Sequence, residues 1–223
     1  MRKTFTVRTA FLLVVATFFI LSDAAAIKRS TSGWSPKSNK TYFGIKGGLN
    51  IANQFGDINN TNWKCGLNLG AMIFHRISTN TVLEIGLTYS AKGYAEEILW
   101  VDEYDNPLYY DDSFWNLNYL EAQIVFKFLP SVHLDAMPNL QLGIAPGILV
   151  NANLDELGRT YDAEDYFNDF DLGLIFGFGY DFLLGNSLLI TDFRYQVGLL
   201  DVDKDNSIDL RNNHFSFSLG FAF

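Results

Sequence analysis

The sequence predicts an all-β fold: an eight-stranded antiparallel up-and-down transmembrane β-barrel behind a cleaved N-terminal signal peptide. Three observations carry this expectation. The chain opens with an export signal, eight later segments alternate apolar and polar residues with period two, and the connections between them alternate long and short.

The export signal is short and ordered. Met1 to Arg8 carries Arg2, Lys3 and Arg8, Ala10 to Leu21 is an almost unbroken apolar run, and Ala24-Ala25-Ala26 offers a small-residue cleavage site. A run of twelve residues is too short to span a bilayer as a helix, which takes roughly 20. Residues 1–26 are therefore read as a signal peptide. Residues 27–40, rich in Lys, Ser and Asn and without apolar period, are read as a polar periplasmic leader, and 41–223 as the barrel domain.

Composition narrows the class. Aromatic residues make up 16% of the chain and glycines number 18 against five prolines, an unusual balance for a soluble enzyme of this size. Mean hydropathy is near zero, yet no segment after the signal is long enough for a transmembrane helix. A membrane protein with that profile must alternate its apolar residues, which is the barrel solution. Removing Arg2, Lys3, Arg8 and Asp23 with the signal leaves 13 basic residues against 24 acidic ones, a net charge of −11. That balance argues against nucleic acid or anionic lipid as a partner. The single cysteine, Cys65, excludes an internal disulfide and lies too far along the chain for lipoprotein attachment. The three scattered histidines cannot build a histidine-rich metal site.

The alternation begins at Thr41. Segment one, near 41–51, sets Phe43, Ile45, Leu49 and Ile51 against Lys46, Gly48 and Asn50. Segment two, near 63–75, sets Trp63, Cys65, Leu67, Leu69, Ala71 and Ile73 against Lys64, Asn68 and Gly70. The third, near 81–92, opposes Leu83, Ile85, Leu87, Tyr89 and Ala91 to Glu84, Gly86, Thr88, Ser90 and Lys92. The fourth, near 115–128, opposes Leu120, Ala122, Ile124, Phe126 and Phe128 to Glu121, Gln123 and Lys127.

The second half repeats the pattern. Segment five, near 139–151, alternates Leu140, Leu142, Ile144, Ile148 and Val150 with Gln141, Gly143, Ala145, Gly147 and Asn151. Segment six, near 168–183, alternates Phe170, Leu172, Leu174, Phe176, Phe178 and Tyr180 with Asp171, Gly173, Gly177, Gly179 and Asp181. Segment seven, near 187–199, puts Leu189, Phe193, Tyr195, Val197 and Leu199 opposite Asp192, Arg194, Gln196 and Gly198. The last, near 213–223, puts Phe215, Phe217, Leu219, Phe221 and Phe223 opposite Ser216, Ser218, Gly220 and Ala222. Each is long enough for a tilted membrane-crossing strand, which takes roughly 9–11 residues.

The two faces separate a membrane barrel from a soluble one. The apolar face holds bulky Leu, Ile and Phe with no charge in any segment's middle, whereas the other holds small residues, amides and charges of both signs. A soluble barrel would bury the first and wet the second. Glycine and alanine fill a soluble core poorly but suit the crowded lumen of a narrow membrane barrel. The connections near 52–62, 93–114, 152–167 and 200–212 are long, and those near 76–80, 129–138 and 184–186 are short. Outer-membrane barrels have short periplasmic turns and long external loops, so both termini are expected in the periplasm of a bacterial envelope.

Several of these stretches resemble the PorT-like, porin-family outer-membrane β-barrel proteins. The likeness rests on Tyr42-Phe43-Gly44-Ile45-Lys46-Gly47-Gly48-Leu49-Asn50, on Asn118-Tyr119-Leu120-Glu121, and on Phe170-Asp171-Leu172-Gly173 with Gly177 and Gly179. Arg194-Tyr195-Gln196-Val197-Gly198-Leu199 and the terminal Phe223 complete it, while Ala122-Gln123 departs where the family often has an apolar residue and proline. The resemblance implies architecture and a link to protein secretion, and carries no catalytic residues.

Two groups of residues are candidates for function. Lys46, Lys64, Lys92, Lys127 and Arg194 are expected to face Glu84, Glu121, Asp171, Asp181 and Asp192 across the lumen, with Arg194 paired to Asp192 or Glu121. Eight strands leave a lumen about wide enough for side chains to fill, so a closed polar plug is expected rather than a pore. The outer connections, with the third counted through Asp169, hold 18 of the 25 acidic residues, among them Asp201, Asp203, Asp205 and Asp209. Those four have the spacing of the first half of a calcium loop, with Asn206 at the tight turn, and could hold calcium weakly; the Glu at the twelfth position is missing. No other cofactor is expected. His214, with Asp209, Ser207 and Ser216, is the histidine expected near the outer rim, while His75 and His133 fall at turns; none forms a catalytic pattern.

The expected role is non-enzymatic: a closed polar lumen below acidic, aromatic loops for structural or surface binding. Service as an accessory factor for secretion or envelope assembly is the alternative, and a small-solute porin comes third. Outer-membrane lipid, the barrel-insertion machinery and a surface or secretion protein are the expected partners.

Overall fold

The computed structural model describes residues 41–57, 61–101, 107–130, 136–205 and 208–223, with backbone alone at 98–101 and 107–111. The signal, the leader, His133, Asn206 and Ser207 lie outside the described residues. Ten strands form among the described residues: β1 (Thr41–Gly56), β2 (Thr61–Asn62), β3 (Lys64–Ser78), β4 (Thr81–Val101), β5 (Pro107–Phe128), β6 (Ala136–Glu156), β7 (Arg159–Asp162), β8 (Phe170–Leu184), β9 (Ser187–Gly198) and β10 (Leu210–Ala222). Two of them, β2 and β7, are short additions at the loop end, pairing with β4 and β6.

The other eight are staves of a closed antiparallel ring. Each pairs with its neighbour in sequence, and β1 closes the ring on β10 from Gly44↔Ala222 to Gly56↔Leu210. Closure matters physically because an open sheet edge in lipid would leave its peptide groups without partners.

The period-two pattern settles which face is out. Lipid-side residues such as Leu67 and Leu69 are 64% and 65% exposed, while their neighbours Asn68 and Met72 are buried. All eight expected apolar faces point outward, Cys65 among them. Asn151 is an exception. The β5–β6 register slips between Asn118↔Asn151 and Tyr119↔Leu149, so one extra residue of β6 bulges there. The bulge turns Asn151 into the row of Asn118 and gives the inward place to buried Ala152.

The long connections are more ordered than their composition suggested. The stretch expected as a loop at 93–114 is mostly a ribbon, because β4 runs to Val101 and β5 starts at Pro107, paired throughout. An antiparallel pair satisfies its own backbone in water as well as in lipid, so acidic residues do not end it. In the next connection β6 runs on to Glu156 and turns back through Leu157 (φ 51°) and Gly158 (φ 73°) into β7. A two-residue hairpin of that kind needs positive φ at both central positions, and leucine gives no signal for it. A 3₁₀ turn at Glu164–Tyr166 and a bridge between Phe167 and Asp203 then fold the third and fourth connections together.

Inward-facing residues sort into levels along the barrel. At the turn end Tyr42, Met72, Phe74, Val82, Leu129, Met137, Leu188, Ile190 and Ala222 form one apolar cluster. At the loop end Leu117, Tyr119, Ala152, Ala163, Phe167, Val202 and Leu210 form another, with Trp115 packed against it. Between them lie the charged residues.

Candidate functional site in the barrel lumen

Period two aims alternate residues of every stave at the axis, so residues far apart in sequence meet there. Glu84 from β4 stands at the hub. Its Oε1 takes the Lys46 ammonium at 2.7 Å, and its Oε2 takes Arg194 Nη2 at 2.7 Å and Lys127 at 3.3 Å. Asp192 meets the same Arg194 Nη2 at 2.8 Å and Lys127 at 2.9 Å, and Asp181 lies 3.4 Å from Lys127. Three cations and three carboxylates thus share one cluster in the half nearer the turns.

Amides complete it. Arg194 donates Nε to Gln141 Oε1 at 2.7 Å and Nη1 to Gln123 Oε1 at 2.9 Å, and Gln123 also accepts from Lys46 at 2.9 Å. Gln141 donates to Asp192 at 2.6 Å. Buried charges persist when their remaining protons and lone pairs are also satisfied, and the amides supply that. Glycine makes room for the cluster: a Cβ on Gly179 would stand 2.8 Å from both Asp192 Oδ1 and Gln141 Nε2, and one on Gly177 3.0 Å from Arg194 Cγ.

A second cluster sits toward the loop end. Lys92 is 2.6 Å from Glu121 Oε1 and 3.2 Å from Asp171 Oδ2, with its ammonium over the Tyr119 ring. Gln196 donates to Glu121 at 2.8 Å, and Asn212 donates to Asp171 at 3.0 Å while accepting from Gln54 at 2.9 Å. One cation faces two carboxylates here. A small polar void bordering the first cluster, lined by Lys46, Arg194, Gln196, His214 and Ser216 among others, has room for about one water.

Nine of the ten expected lumen charges are brought together; Lys64 is not. It is half-buried nearer the loop end, and its ammonium reaches the Lys92 carbonyl at 3.4 Å rather than a carboxylate. Four cations and five carboxylates are therefore ion-paired in the lumen among the described residues, instead of the expected five of each. Arg194 pairs with Asp192 as expected, but Glu121 belongs to Lys92. The alternation put Gln123, Gln141 and Gln196 on the inward face without assigning them to the ion-paired clusters, and Asn212, in a stretch expected as loop, was missed. For Gln123 and Gln196 a charged residue of the same inward parity stands two places away, and Gln141 lies opposite Lys127; Asn212 lies opposite Gln54 and has no such charged neighbour.

The outer residues have other work. Asp201 Oδ1 accepts from the backbone N–H of Asp203 at 2.9 Å and of Leu210 at 3.0 Å. Asp209 pairs with Arg211 at 2.8 Å, and its N–H donates to Asp57 at 2.9 Å. Asp203 Oδ2 faces the Ile208 N–H at 3.5 Å, and Asp205 is exposed. Three of the four carboxylates are spent on turns and an ion pair, and no group of three or more potential metal ligands converges among the described residues. His214 is not at the rim: it is buried in the lumen beside the Lys92 cluster. At the opposite end, His75 Nδ1 lies 3.0 Å from Thr41 Oγ1.

A family described as outer membrane protein beta-barrel domain matches residues 30–204. The chain belongs to that family. Membership and fold together make this a barrel of the bacterial outer membrane. No curated protein matches it. Among solved structures, Neisserial surface protein A is similar at 13% identity, over 80% of this chain and 95% of that one, with a TM-score of 0.46. The outer membrane protein OprG of Pseudomonas aeruginosa is similar at 13% identity, over 83% and 97%, with a TM-score of 0.46. Ail, the attachment invasion locus protein of Yersinia pestis, is similar at 14% identity, over 82% and 99%, with a TM-score of 0.44.

The Lys92 cluster yields a direct test of this outer-membrane barrel. Changing Lys92→Met leaves Glu121 and Asp171 buried without their cation, and should cost about 3–5 kcal/mol in urea unfolding. Lys64→Met, at a half-exposed site without an ion pair, should change stability by no more than about 1 kcal/mol. Equal losses from both would mean the lumen pairing is not what the charges contribute.

Proposed function

We propose that this barrel is a closed, non-enzymatic scaffold that holds an acidic and aromatic surface outside the cell. The observation that carries the reading is the filling of the lumen: an apolar cluster at each end and two ion-paired clusters between them. A solute would have to displace all of these layers. The loop-end cluster draws Ala163, Phe167 and Val202 from the folded connections themselves, so the loops cap the barrel as well as cover it.

The loop end is read as the cell surface and both termini as periplasmic. Support comes from the tight Leu184–Ser187 and Ser78–Thr81 turns at one end and from the β4–β5 ribbon and β6–β7 hairpin at the other. On that reading a cleaved signal at 1–26 is followed by a periplasmic leader at 27–40. Exposed Tyr161 and Tyr166 among the loop carboxylates suit a cationic or cation-bridged partner surface. The resemblance to PorT-like barrels supports a second reading, service to a secretion or envelope-assembly apparatus. That role would place the essential contacts on the leader and the turns instead.

Two measurements test the first reading. Purified barrel in a planar bilayer should give no steady conductance, and large stable channels would overturn the closed lumen. In a Cys65→Ser background, Asp162→Cys should react with an impermeant thiol reagent on whole cells and Asn186→Cys should not. The reverse pattern would invert the orientation.

A further inference from the structure

One seam of the ring differs from the other seven. Between β5 and β6 the pairing runs to Glu121↔Gly147, stops, and resumes at Ile124↔Ile144. The constant register sets Pro146 opposite Ala122 and Ala145 opposite Gln123 at the gap. Proline has no N–H to donate, so one rung of the ladder is lost on the β5 side, while Pro146 keeps its place beside Leu172 of β8. The Val150 bulge lies four residues along the same seam. Every other seam of the ring is continuous through its middle, with register slips only near the ends of β3 and β4.

The position of the gap gives it consequence. Pro146 stands near the middle of β6 on the lipid side, where no water waits to replace the missing donor. Side chains along the gap are small: exposed Ala122, buried Ala145, and Gly143 and Gly147 to either side. Directly inside lie Glu121 and Gln123, which belong to the two ion-paired clusters, and an apolar patch of Val125, Ala145 and Ile175. A seam that loses a rung at mid-membrane costs less to part there than one whose ladder is unbroken.

We propose that the β5–β6 seam is a built-in lateral opening, at which the two staves part around Pro146 and Ala122 and connect the lumen with the surrounding lipid. The other seven seams stay zipped, so the barrel remains closed from end to end while it opens sideways.

Amide-resolved hydrogen exchange of the whole barrel in lipid nanodiscs tests this. Amides at 120–125 and 143–149 should exchange at least about tenfold faster than those at 45–50 and 66–71 of the β1–β3 seam. Pro146→Val, which restores the donor with a strand-favouring side chain, should bring the β5–β6 rates down to the β1–β3 level. A disulfide across the gap, Ala122→Cys with Pro146→Cys in a Cys65→Ser background, should do the same. Equal rates at the two seams of the parent protein would overturn the proposal. So would fast exchange that persists in both locked variants.

Discussion

The structure depends on the absence of water from the hydrocarbon layer. Every peptide group there must find its partner within the protein, so the sheet has to close on itself, as β1 does on β10. Closure fixes an inside and an outside, and period two then divides each stave between them. The lipid row can hold only apolar side chains, which drives the charged and amide residues to the axis. There they meet no solvent either, and must satisfy one another. The ion-paired lumen is thus a consequence of the same constraint that shaped the wall.

Within the lumen, geometry decides how charge is used. Glu84 can serve three cations because Lys46, Lys127 and Arg194 approach it from three different staves. Arg194 is suited to the centre because its planar fork reaches two carboxylates and two amides at once, which a lysine ammonium could not do with fixed directions. On the adjacent stave Gly177 leaves room for its stem and Gly179 for its partners Asp192 and Gln141. Toward the loops the balance changes, with Lys92 between two carboxylates, and the folded connections seal that end with Phe167 and Val202.

Much of this was legible in the sequence. Strict alternation told Leu69 from Asn68 and Phe193 from Arg194, because a one-residue error in parity would have put charges in lipid. Nine of the ten lumen charges followed from parity alone. Less was legible where parity stops deciding. Inward Tyr42, Phe74 and Ile190 look no different in sequence from lipid-facing residues, since apolar side chains fit either side of the wall at the barrel's ends. The Val150 bulge is a register event without a local signature, and the Leu157-Gly158 turn uses a residue that rarely accepts positive φ. The departure at Ala122-Gln123 could be read from sequence, but that it faces Pro146 could not, because register is a property of two strands. At 201–209 spacing shows where carboxylates fall along the chain, but not that Asp201 also accepts from backbone and Asp209 also pairs with arginine.

The central claim is that Glu84 and Arg194 hold the lumen together as a mutually dependent pair. A double-mutant cycle with Glu84→Gln and Arg194→Gln, read by urea unfolding in lipid, measures that dependence directly. Coupling of about 1–3 kcal/mol is predicted, with the double variant losing less than the two single losses added. Single losses that simply add, to within about 0.5 kcal/mol, would contradict the account.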